Sequence, residues 1–301
     1  MSLIITEQLT KTFNGTSAVD GLNLSIKEGI CTALLGPNGA GKTTTLNMLT
    51  GLMNPTSGTI TFDQRYRGDR RQFIGYLPQY PKFYGWMTGE EYVVYAGQLG
   101  GLSKIDATKK TEELLSLVGL DDSKKKRIAG YSGGMKQRLG IAQALVHSPK
   151  LIILDEPVSA LDPIGRRDVL ELMRKLKEKT SILFSTHVLH DAEEICDDIF
   201  IVKDGKVVIE GDLVELQRKY QKPTIYLETE ESIEYWSHSI KNMDWLRHMQ
   251  GTKNKLTITV NDIDVAREAL LSNETLRKLK ITNFEIAKTT LEDLFMEVTA
   301  G

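Results

Sequence analysis

The chain is poor in three features that would narrow its class at once: cysteine, net charge and long apolar runs. Its 301 residues include two cysteines, Cys31 and Cys196, which are too few for a disulfide framework. The formal net charge is −2, so the chain as a whole offers no electrostatic reason to expect nucleic-acid binding. No apolar stretch approaches the ~20 residues that a membrane-spanning helix needs. We therefore expect a protein of the reducing cytoplasm that does not itself cross a bilayer.

The N-terminus also lacks the pattern of a secretory signal. Residues Met1–Glu7 turn polar too soon for an apolar core of the required length. Hydrophobic residues make up 41% of the chain and charged residues 26%, as in ordinary globular proteins, so a packed core is expected. The length suggests one large or two ordinary domains. If the protein works at a membrane, another chain must cross that membrane.

The most informative segment is a glycine-rich loop. Its residues fit the pattern G-x-x-x-x-G-K-[ST] at every fixed position: Gly36, Pro37, Asn38, Gly39, Ala40, Gly41, Lys42, Thr43 and Thr44. Glycines let the backbone N–H groups of such a loop turn inward to hold phosphate oxygens. Lys42 can then reach the β- and γ-phosphates, and the Thr43 hydroxyl can ligate Mg²⁺. The apolar strand pattern Cys31–Leu35 precedes the loop and a helical pattern follows it, which argues against a chance match.

The rest of the first 220 residues alternates between strand and helix patterns. Buried-strand patterns at Leu151–Leu154 and Ser181–Ser185 flank an amphipathic helix, and this spacing predicts a parallel sheet. The dipeptide Asp204-Gly205 between two apolar runs is the strongest hairpin signal. The sequence therefore predicts an α/β domain.

Two carboxylates, Asp155 and Glu156, directly follow the strand pattern Leu151–Leu154. In phosphate-loop enzymes the first commonly holds Mg²⁺, directly or through water. The second is placed to accept a proton from an attacking water. Acids are common where a strand reaches the surface, so the pair alone is a weak signal. Together with the phosphate loop it becomes a strong one.

A second anion-binding pattern is formed by Ser132, Gly133 and Gly134, just ahead of a helix that begins near Met135. Serine is a good N-cap, and glycines leave backbone N–H groups exposed at the positive end of the helix. Standing alone, this tripeptide would be read as a plain helix cap. His187 follows a strand and could donate a hydrogen bond to a phosphate oxygen, although a lone histidine there usually has no function.

Six motifs, in this order, resemble those of the ATP-binding subunits of ABC (ATP-binding cassette) transporters, and the resemblance covers about residues 2–220. They are residues 36–44, Gln79, Tyr131–Arg138, Leu151–Pro157, Ser159–Asp162 and His187. The resemblance implies the α/β fold of a P-loop NTPase cassette. Such a cassette has a mixed, mainly parallel core sheet, an antiparallel β subdomain and a helical subdomain, here at about residues 80–147. It also implies an ATPase that uses ATP with Mg²⁺.

The resemblance also implies which residues hold the nucleotide and the metal. Phe13 matches the aromatic residue that stacks on adenine, with Val19 beside it. The phosphate loop holds the triphosphate. Thr43 and Gln79 match the Mg²⁺ ligands, and Asp155 matches the acidic residue behind them.

The catalytic set implied by the resemblance is Glu156, His187 and Gln79. Glu156 matches the general base, and His187 matches the residue that senses the γ-phosphate. Asp162 ends the loop that communicates between subunits in this family. No catalytic position is missing, which argues against an inactive cassette.

In this family Ser132, Gly133 and Gly134 bind the γ-phosphate of ATP held by the other subunit. The chain has one phosphate loop and one such signature, so a competent site needs a second cassette, which we expect to be a second copy of this chain. Tyr131 and Met135 stand where the family most often has Leu and Gln. Because the serine and both glycines remain, we expect activity to survive these departures.

The segment after Gln79 is where cassettes of this family contact a separate transmembrane permease. Here it is rich in aromatic and large apolar residues: Tyr80, Phe83, Tyr84, Trp86 and Met87. Such a density suggests an interface, and local packing is an equally open interpretation. An interface would place the protein peripherally on the cytoplasmic face of a membrane.

Residues 222–301 resemble the small C-terminal extension of ATP-binding subunits from ABC-2-type exporters, most specifically at Thr290–Thr299. Strand and helix patterns suggest a small α+β domain with a β-α-β-β-α-β-like order over 222–290 and a terminal helix. Export is therefore the expected direction of transport. A dimerisation or regulatory role is plausible for this domain.

Two alternatives remain open at this point. The first is a soluble ABC ATPase that acts on ribosomes or DNA. The ribosomal type usually carries two cassettes, and the DNA-repair type inserts a long coiled coil, which Thr44–Tyr131 lacks. The second is a non-enzymatic binding module, against which the intact Lys42, Glu156 and His187 argue. We expect no nucleic-acid partner.

Overall fold

The computed structural model describes residues 1–159, 161–220, 223–287 and 290–299. Its strands are β1 Ser2–Phe13, β2 Thr16–Lys27, β3 Cys31–Leu35, β4 Ser57–Phe62, β5 Ile74–Leu77, β6 Leu151–Asp155, β7 Ser181–Thr186, β8 Asp198–Lys203, β9 Lys206–Asp212, β10 Thr224–Thr229, β11 Leu246–Gly251, β12 Lys255–Val260 and β13 Ile281–Ile286. Its helices are α1 Lys42–Leu49, α2 Gly89–Leu99, α3 Lys104–Leu117, α4 Gly133–Leu145, α5 Pro163–Lys177, α6 Leu189–Ile195, α7 Leu213–Lys219, α8 Glu234–Ser239, α9 Ile263–Ser272, α10 Glu274–Lys278 and α11 Leu291–Thr299.

A six-stranded sheet of order β5-β6-β7-β3-β8-β9 forms the centre of the first part of the chain. The strands from β5 to β8 in this order run parallel, and β9 closes the edge antiparallel to β8. Every residue of β3, β6 and β7 is buried. Continuous apolar runs are typical of parallel strands covered on both faces. The predicted parallel sheet and the hairpin at Asp204-Gly205 are confirmed.

A second sheet, of order β2-β1-β4, is wholly antiparallel. Strands β1 and β2 form a long hairpin whose turn, Asn14-Gly15, has positive φ at both residues. Leu3, Ile4 and Leu22 from this sheet belong to the same buried apolar cluster as Leu34 and Ile153 of the central sheet. The antiparallel subdomain therefore packs directly over the core that carries the phosphate loop.

Helices α2, α3 and α4 form the predicted helical segment. The pattern Thr88-x-x-Glu91 is that of a capping box, and both of its hydrogen bonds are present at the start of α2. Ser103 and Ser132 cap α3 and α4 in the same way, each accepting from the backbone N–H of the third helical residue. The predicted class, an α/β cassette with a mixed core sheet, an antiparallel subdomain and a helical subdomain, is confirmed.

The C-terminal part contains a four-stranded antiparallel sheet of order β11-β12-β10-β13. With α8 between β10 and β11, and α9 and α10 between β12 and β13, this is the split β-α-β arrangement of ferredoxin-like domains. Trp236 of α8 packs with Ile225, Ile258 and Leu270 in a separate apolar core. The suggested β-α-β-β-α-β order is thus confirmed.

The described chain divides into two compact units. One comprises Met1–Leu213 together with the C-terminal end from Phe295, and the other comprises Val214–Leu294. The sequence-based boundary between residues 220 and 222 includes positions outside the described residues, so it remains a prediction. Within the four described ranges, no helix combines the length and apolar character needed to cross a bilayer.

We expect Trp236→Ala to destabilise the C-terminal unit far more than Tyr235→Ala. Trp236 is 2% exposed and donates from its indole Nε1 to Asn273 Oδ1 at 3.1 Å, whereas Tyr235 is 90% exposed. Truncation of a buried tryptophan typically costs ~3–5 kcal/mol, against ~0.5 kcal/mol or less at such a surface position. Urea unfolding followed by circular dichroism measures both values. Equal losses in the two variants would contradict the assigned core.

Candidate functional site

The phosphate loop connects β3 to α1 at the carboxyl edge of the central sheet. Its backbone approaches neighbouring chain so closely that two positions accept only glycine. A Cβ at Gly36 would lie 2.3 Å from the Val202 carbonyl oxygen, and one at Gly41 would lie 2.3 Å from the Ala18 carbonyl oxygen. Gly41 also has a φ of 97°, which side chains other than glycine's rarely adopt. The two glycines therefore allow the loop to lie in close contact with both β8 and β2.

Lys42 is the first residue of α1, and its side chain folds back over the loop. Its Nζ donates to the Gly36 carbonyl at 2.8 Å and to the Pro37 carbonyl at 3.1 Å. The side chain is 6% exposed, and this burial lowers the pKa of the ammonium group, against the opposing effect of the Glu156 and Asp155 carboxylates. A buried cation held by carbonyls at a helix N-terminus suits the binding of a polyphosphate.

Three side chains of the site lie close to the carboxylate of Glu156. Gln79 Nε2 donates to Glu156 Oε2 at 3.1 Å. His187 Nδ1 lies 3.2 Å from Oε1, and Lys42 Nζ lies 3.9 Å from the same oxygen. Residues from three other motifs thus meet at one acidic group. The predicted catalytic set, Glu156, His187 and Gln79, is brought together with the phosphate-loop lysine, and their catalytic roles remain predictions.

Asp155 presents a carboxylate oxygen that suits a magnesium site. Its side chain is 1% exposed, and its Oδ1 accepts a hydrogen bond from Ser185 Oγ at 2.5 Å. Its Oδ2 is buried without a protein partner among the described residues, a situation that usually costs ~1–3 kcal/mol. Mg²⁺ is commonly bound by one or two protein oxygens together with substrate phosphates and waters. Asp155, together with Thr43 of the phosphate loop and Gln79 after β5, would supply such oxygens.

A cleft of about 570 Å³ joins Lys42, Thr43, Gln79, Glu156 and His187, whereas the buried Asp155 is not part of its lining. Its lining consists of Ala18, Asn38, Gly39, Gly41, Lys42, Thr43, Thr44, Gln79, Tyr80, Glu156, Ser159 and His187. A larger groove of about 840 Å³ lies beside the amino ends of β6 and β7 and contains none of these residues. Ligands of open α/β sheets bind at the carboxyl ends of the strands, so the smaller cleft is the candidate site.

The signature residues stand apart from this cleft, since Ser132, Gly133 and Gly134 are not among its lining. Ser132 and Gly133 are exposed, and the Ser132 hydroxyl accepts from the Met135 N–H at 3.3 Å at the start of α4. Tyr131, which departs from the common leucine, is buried and donates from its hydroxyl to the Ser123 carbonyl at 2.7 Å. Tyrosine is therefore accommodated without disturbing the cap.

The two residues predicted to contact the base differ in their surroundings. Phe13 is 44% exposed, so part of its ring is available for stacking. Lys11 Nζ lies over the ring, 5.3 Å from its centroid. Val19 is fully buried beneath Gly41, whereas its neighbour Ala18 lines the cleft. The stacking role of Phe13 and the base contact of Val19 remain predictions.

A partly buried ion pair connects the elements that follow two of the motifs. Asp162 caps α5, and Arg166 one turn later donates from Nε to Asp191 Oδ1 at 2.8 Å. Asp191 lies on α6, which begins just after His187. Burial raises the pKa of the Asp191 carboxyl, against the opposing effect of Arg166. Arg166 thereby ties the helix after Asp162 to the helix after His187.

Sequence reasoning missed this pair, helix α6 and Ser185. A signal for Ser185 was present, because a serine interrupts the apolar run Ile182–Phe184 on the strand predicted to lie near the acidic pair. A hydroxyl on a buried strand needs a hydrogen-bond partner, and the only carboxylates expected nearby were those of Asp155 and Glu156. No comparable signal marks Asp191, since acids are common on short helices.

Comparison with known proteins agrees with this geometry. Residues 19–159 match the family described as ABC transporter, and residues 211–299 match the C-terminal domain of DrrA1-3-like ATP-binding proteins. The uncharacterised ABC transporter ATP-binding protein YxlF of Bacillus subtilis is 48% identical over 97% of this chain and 98% of its own length. The bacitracin transport ATP-binding protein BcrA of Bacillus licheniformis is 37% identical over 100% and 99%.

Among solved structures, an ATP-binding cassette captured as a dimer after hydrolysis, with ADP and Pi bound, superposes with a TM-score of 0.62. It shares 29% of its sequence and covers 70% of this chain and 98% of its own. The chain belongs to the ABC transporter ATP-binding family, and it is an ATPase of that class. Within the class, its second domain groups it with the subunits that carry a DrrA1-3-like C-terminal domain.

We expect Gly41→Ala to impair the site more than Gly15→Ala, a change at another glycine with positive φ. Gly15 has a φ of 84° and open space around its Cα, so alanine there meets backbone strain alone, ~1–2 kcal/mol. At Gly41 the added Cβ also meets the Ala18 carbonyl, which adds an overpacking cost of ~1–3 kcal/mol. Urea unfolding and calorimetric ATP titration compare the two. Wild-type ATP affinity in Gly41→Ala would contradict the tight loop.

Proposed function

We propose that this chain hydrolyses ATP as a homodimer around two ATP molecules and thereby drives a separate membrane-spanning exporter chain. The observation that carries the proposal is the convergence of Gln79, His187 and Lys42 on the carboxylate of Glu156 beside the phosphate loop. No described contact favours the alternative of a soluble ATPase that works on ribosomes or DNA.

In the proposed reaction, Glu156 accepts a proton from the water that attacks the γ-phosphate. Its position supports this role, because a general base must lie within hydrogen-bond reach of the attacking water and close to the bound phosphate. The Lys42 ammonium, 3.9 Å from Oε1, marks where the terminal phosphates would lie. Gln79 and His187 hold the two carboxylate oxygens from either side and orient them toward the water.

Charge that develops on the phosphoryl oxygens would be stabilised by Lys42 and by backbone N–H groups of the loop at the start of α1. A bound Mg²⁺, held by Thr43 and Gln79 with Asp155 behind them, would neutralise further charge between the β- and γ-phosphates. His187 is 43% exposed at the cleft, so it remains accessible to a γ-phosphate oxygen. Phe13 would stack on the adenine ring.

A head-to-tail dimer would complete each site. Ser132 and Gly133 are exposed at the amino end of α4, outside the cleft that holds Lys42. Helix α4 has 13 residues, which is long enough for its amino end to attract an anion. In the proposed dimer, these residues of one protomer close over the γ-phosphate bound by its partner. The similar cassette that was captured as a dimer with ADP and Pi supports a dimer for this chain.

An exposed group of aromatic rings supports a protein partner on the helical subdomain. We call Tyr84, Trp86 and Tyr95 the aromatic patch; their exposed fractions are 51%, 70% and 41%. The ring centroids of Tyr84 and Trp86 lie 6.0 Å apart, and those of Tyr84 and Tyr95 lie 6.3 Å apart. Contiguous exposed aromatics are enriched at protein interfaces. We propose this patch as the docking surface of the permease.

Met87 and Phe83 pack inward, which supports local packing for those two residues: Met87 is buried, and Phe83 lies edge-on to Tyr92 at 5.1 Å. Export is proposed because the C-terminal domain is DrrA1-3-like and because the relative BcrA is described as a bacitracin transport protein. Docking on a permease would place the chain on the cytoplasmic face of a membrane.

We expect Glu156→Gln to abolish turnover while ATP binding persists. The amide keeps the shape of the carboxylate but cannot take the proton, so kcat should fall by ~10²–10⁴. ATP should then accumulate in the shared interface, and size-exclusion chromatography with MgATP should show a stable dimer. Glu178→Gln, at an exposed position after α5, is the matched control and should hydrolyse and elute like wild type. Wild-type turnover in Glu156→Gln would refute the proposal.

Trp86→Ala tests the permease surface. Truncation of an interface tryptophan commonly costs 2 kcal/mol or more, about a 30-fold loss of affinity. We therefore expect less permease to co-purify, with unchanged ATPase activity in the isolated chain. Leu52→Ala removes another exposed apolar side chain of the same unit and should leave co-purification intact. Equal permease recovery with both variants would rule out the aromatic patch as the docking surface.

A further inference from the structure

Ser185 lies at the centre of the acidic edge of the site, although no motif includes it. It is fully buried on β7, the strand between β6 and β3. The parallel register pairs Ser185 with Asp155, the last residue of β6. The serine therefore stands beside the backbone of the two acidic residues.

The single hydroxyl of Ser185 makes two hydrogen bonds with these two residues. It donates to Asp155 Oδ1 at 2.5 Å and accepts from the backbone N–H of Glu156 at 2.9 Å. A serine hydroxyl has one proton to donate, so the donor role toward the carboxylate leaves its lone pairs for the amide. One atom thus connects the carboxylate proposed to stand behind Mg²⁺ to the backbone of the proposed general base.

The bond to Asp155 determines which carboxylate oxygen is available. Because Oδ1 is held by Ser185, the side chain is fixed, and Oδ2 is left buried without a partner in the described parts of the chain. A buried, unpartnered carboxylate oxygen calls for a cation or a cation-bound water. Ser185 therefore orients the oxygen that suits magnesium.

The bond to Glu156 supports an unusual backbone conformation. Glu156 has a φ of 46°, in the left-handed region that few residues other than glycine occupy. Such conformations persist where surrounding contacts hold them, and they cluster at functional sites. With its N–H held by Ser185, the chain turns sharply after β6 and directs the side chain toward Gln79 and His187.

We propose that Ser185 is a positioning residue of the ATPase site, one that sets the Asp155 carboxylate for magnesium and the Glu156 carboxylate for the attacking water. The proposal rests on the roles proposed above for Asp155 and Glu156. Ser185 is not among the residues that line the cleft. It acts through the two acids, so its loss should impair chemistry and metal dependence more than nucleotide binding.

The test compares Ser185→Ala with Ser181→Ala. Ser181 is a matched control because it lies on the same strand, is 2% exposed, and accepts a hydrogen bond from the Gly29 N–H at 2.8 Å, remote from the cleft. We expect Ser185→Ala to lower kcat about tenfold or more, with KM for ATP changed less than about threefold. Ser181→Ala should retain wild-type kcat.

A second readout does not depend on turnover. Calorimetric titration with ATP in Mg²⁺ and in EDTA gives the factor by which magnesium strengthens binding. We expect this factor to shrink in Ser185→Ala and to remain unchanged in Ser181→Ala. A purely structural loss would weaken binding equally with and without the metal. Ser185→Thr retains a hydroxyl on a β-branched side chain suited to a strand, and should recover most of the lost kcat.

The outcomes separate this proposal from the proposed function. If Ser185→Ala matches Ser181→Ala in kcat and magnesium dependence while Glu156→Gln is inactive, the role of Ser185 is refuted and the ATPase assignment stands. If Glu156→Gln turns over at the wild-type rate, both are refuted. Should Ser185→Ala fail to fold, Ser185→Thr decides: wild-type kcat and magnesium dependence would support the hydroxyl, and losses in both despite a native unfolding midpoint would refute it.

Discussion

The pairing of the parallel strands β6, β7 and β3 is the interaction on which the site depends. Their register sets Asp155 beside Ser185 and Leu35 beside Thr186, so all three strands end at the same edge. Glu156 follows β6, His187 follows β7, and the phosphate loop follows β3. Because these strands are buried on both faces by apolar side chains, the edge is held by the core and not by the surface loops themselves.

That edge concentrates charge where water is scarce. Lys42 and Asp155 are both nearly inaccessible, and a buried charge is costly unless it is compensated. Carbonyl groups compensate Lys42, and Ser185 compensates one oxygen of Asp155, but the other oxygen has no partner among the residues that the structure describes. The left-handed backbone of Glu156 adds a further cost, so this edge of the sheet lowers the stability of the fold. Such a loss of stability is expected at a site where a bound polyphosphate and a cation would supply the missing interactions.

Features that depend on a short run of neighbouring residues could be predicted from the sequence. The phosphate loop and the hairpin at Asp204 follow from spacing and turn residues, and the structure confirms both, as it confirms the suggested order of elements along the C-terminal domain. Contacts between distant segments were beyond it. The meeting of Gln79 with Glu156, and the hydroxyl of Ser185 between two acids, depend on strand order and register that no local pattern encodes. Exposure was equally hidden, as the buried Val19 illustrates.

Gln79 connects the carboxylate of Glu156 to the surface proposed for the permease. It contacts Glu156 and also begins the segment that leads to Tyr84 and Trp86 of the aromatic patch. A permease docked on the patch, as proposed, would therefore be linked to the carboxylate of Glu156 through one short stretch of chain. In the proposed dimer, ATP binds well only when Ser132 of the partner closes over it, so nucleotide favours the closed pair by its difference in affinity for the two states. In that dimer, hydrolysis would remove the γ-phosphate that both protomers hold, and the energy difference that favoured closure would be lost with it. In the proposed dimer, a site that is incomplete in one chain would allow a chemical step to become a movement between two chains.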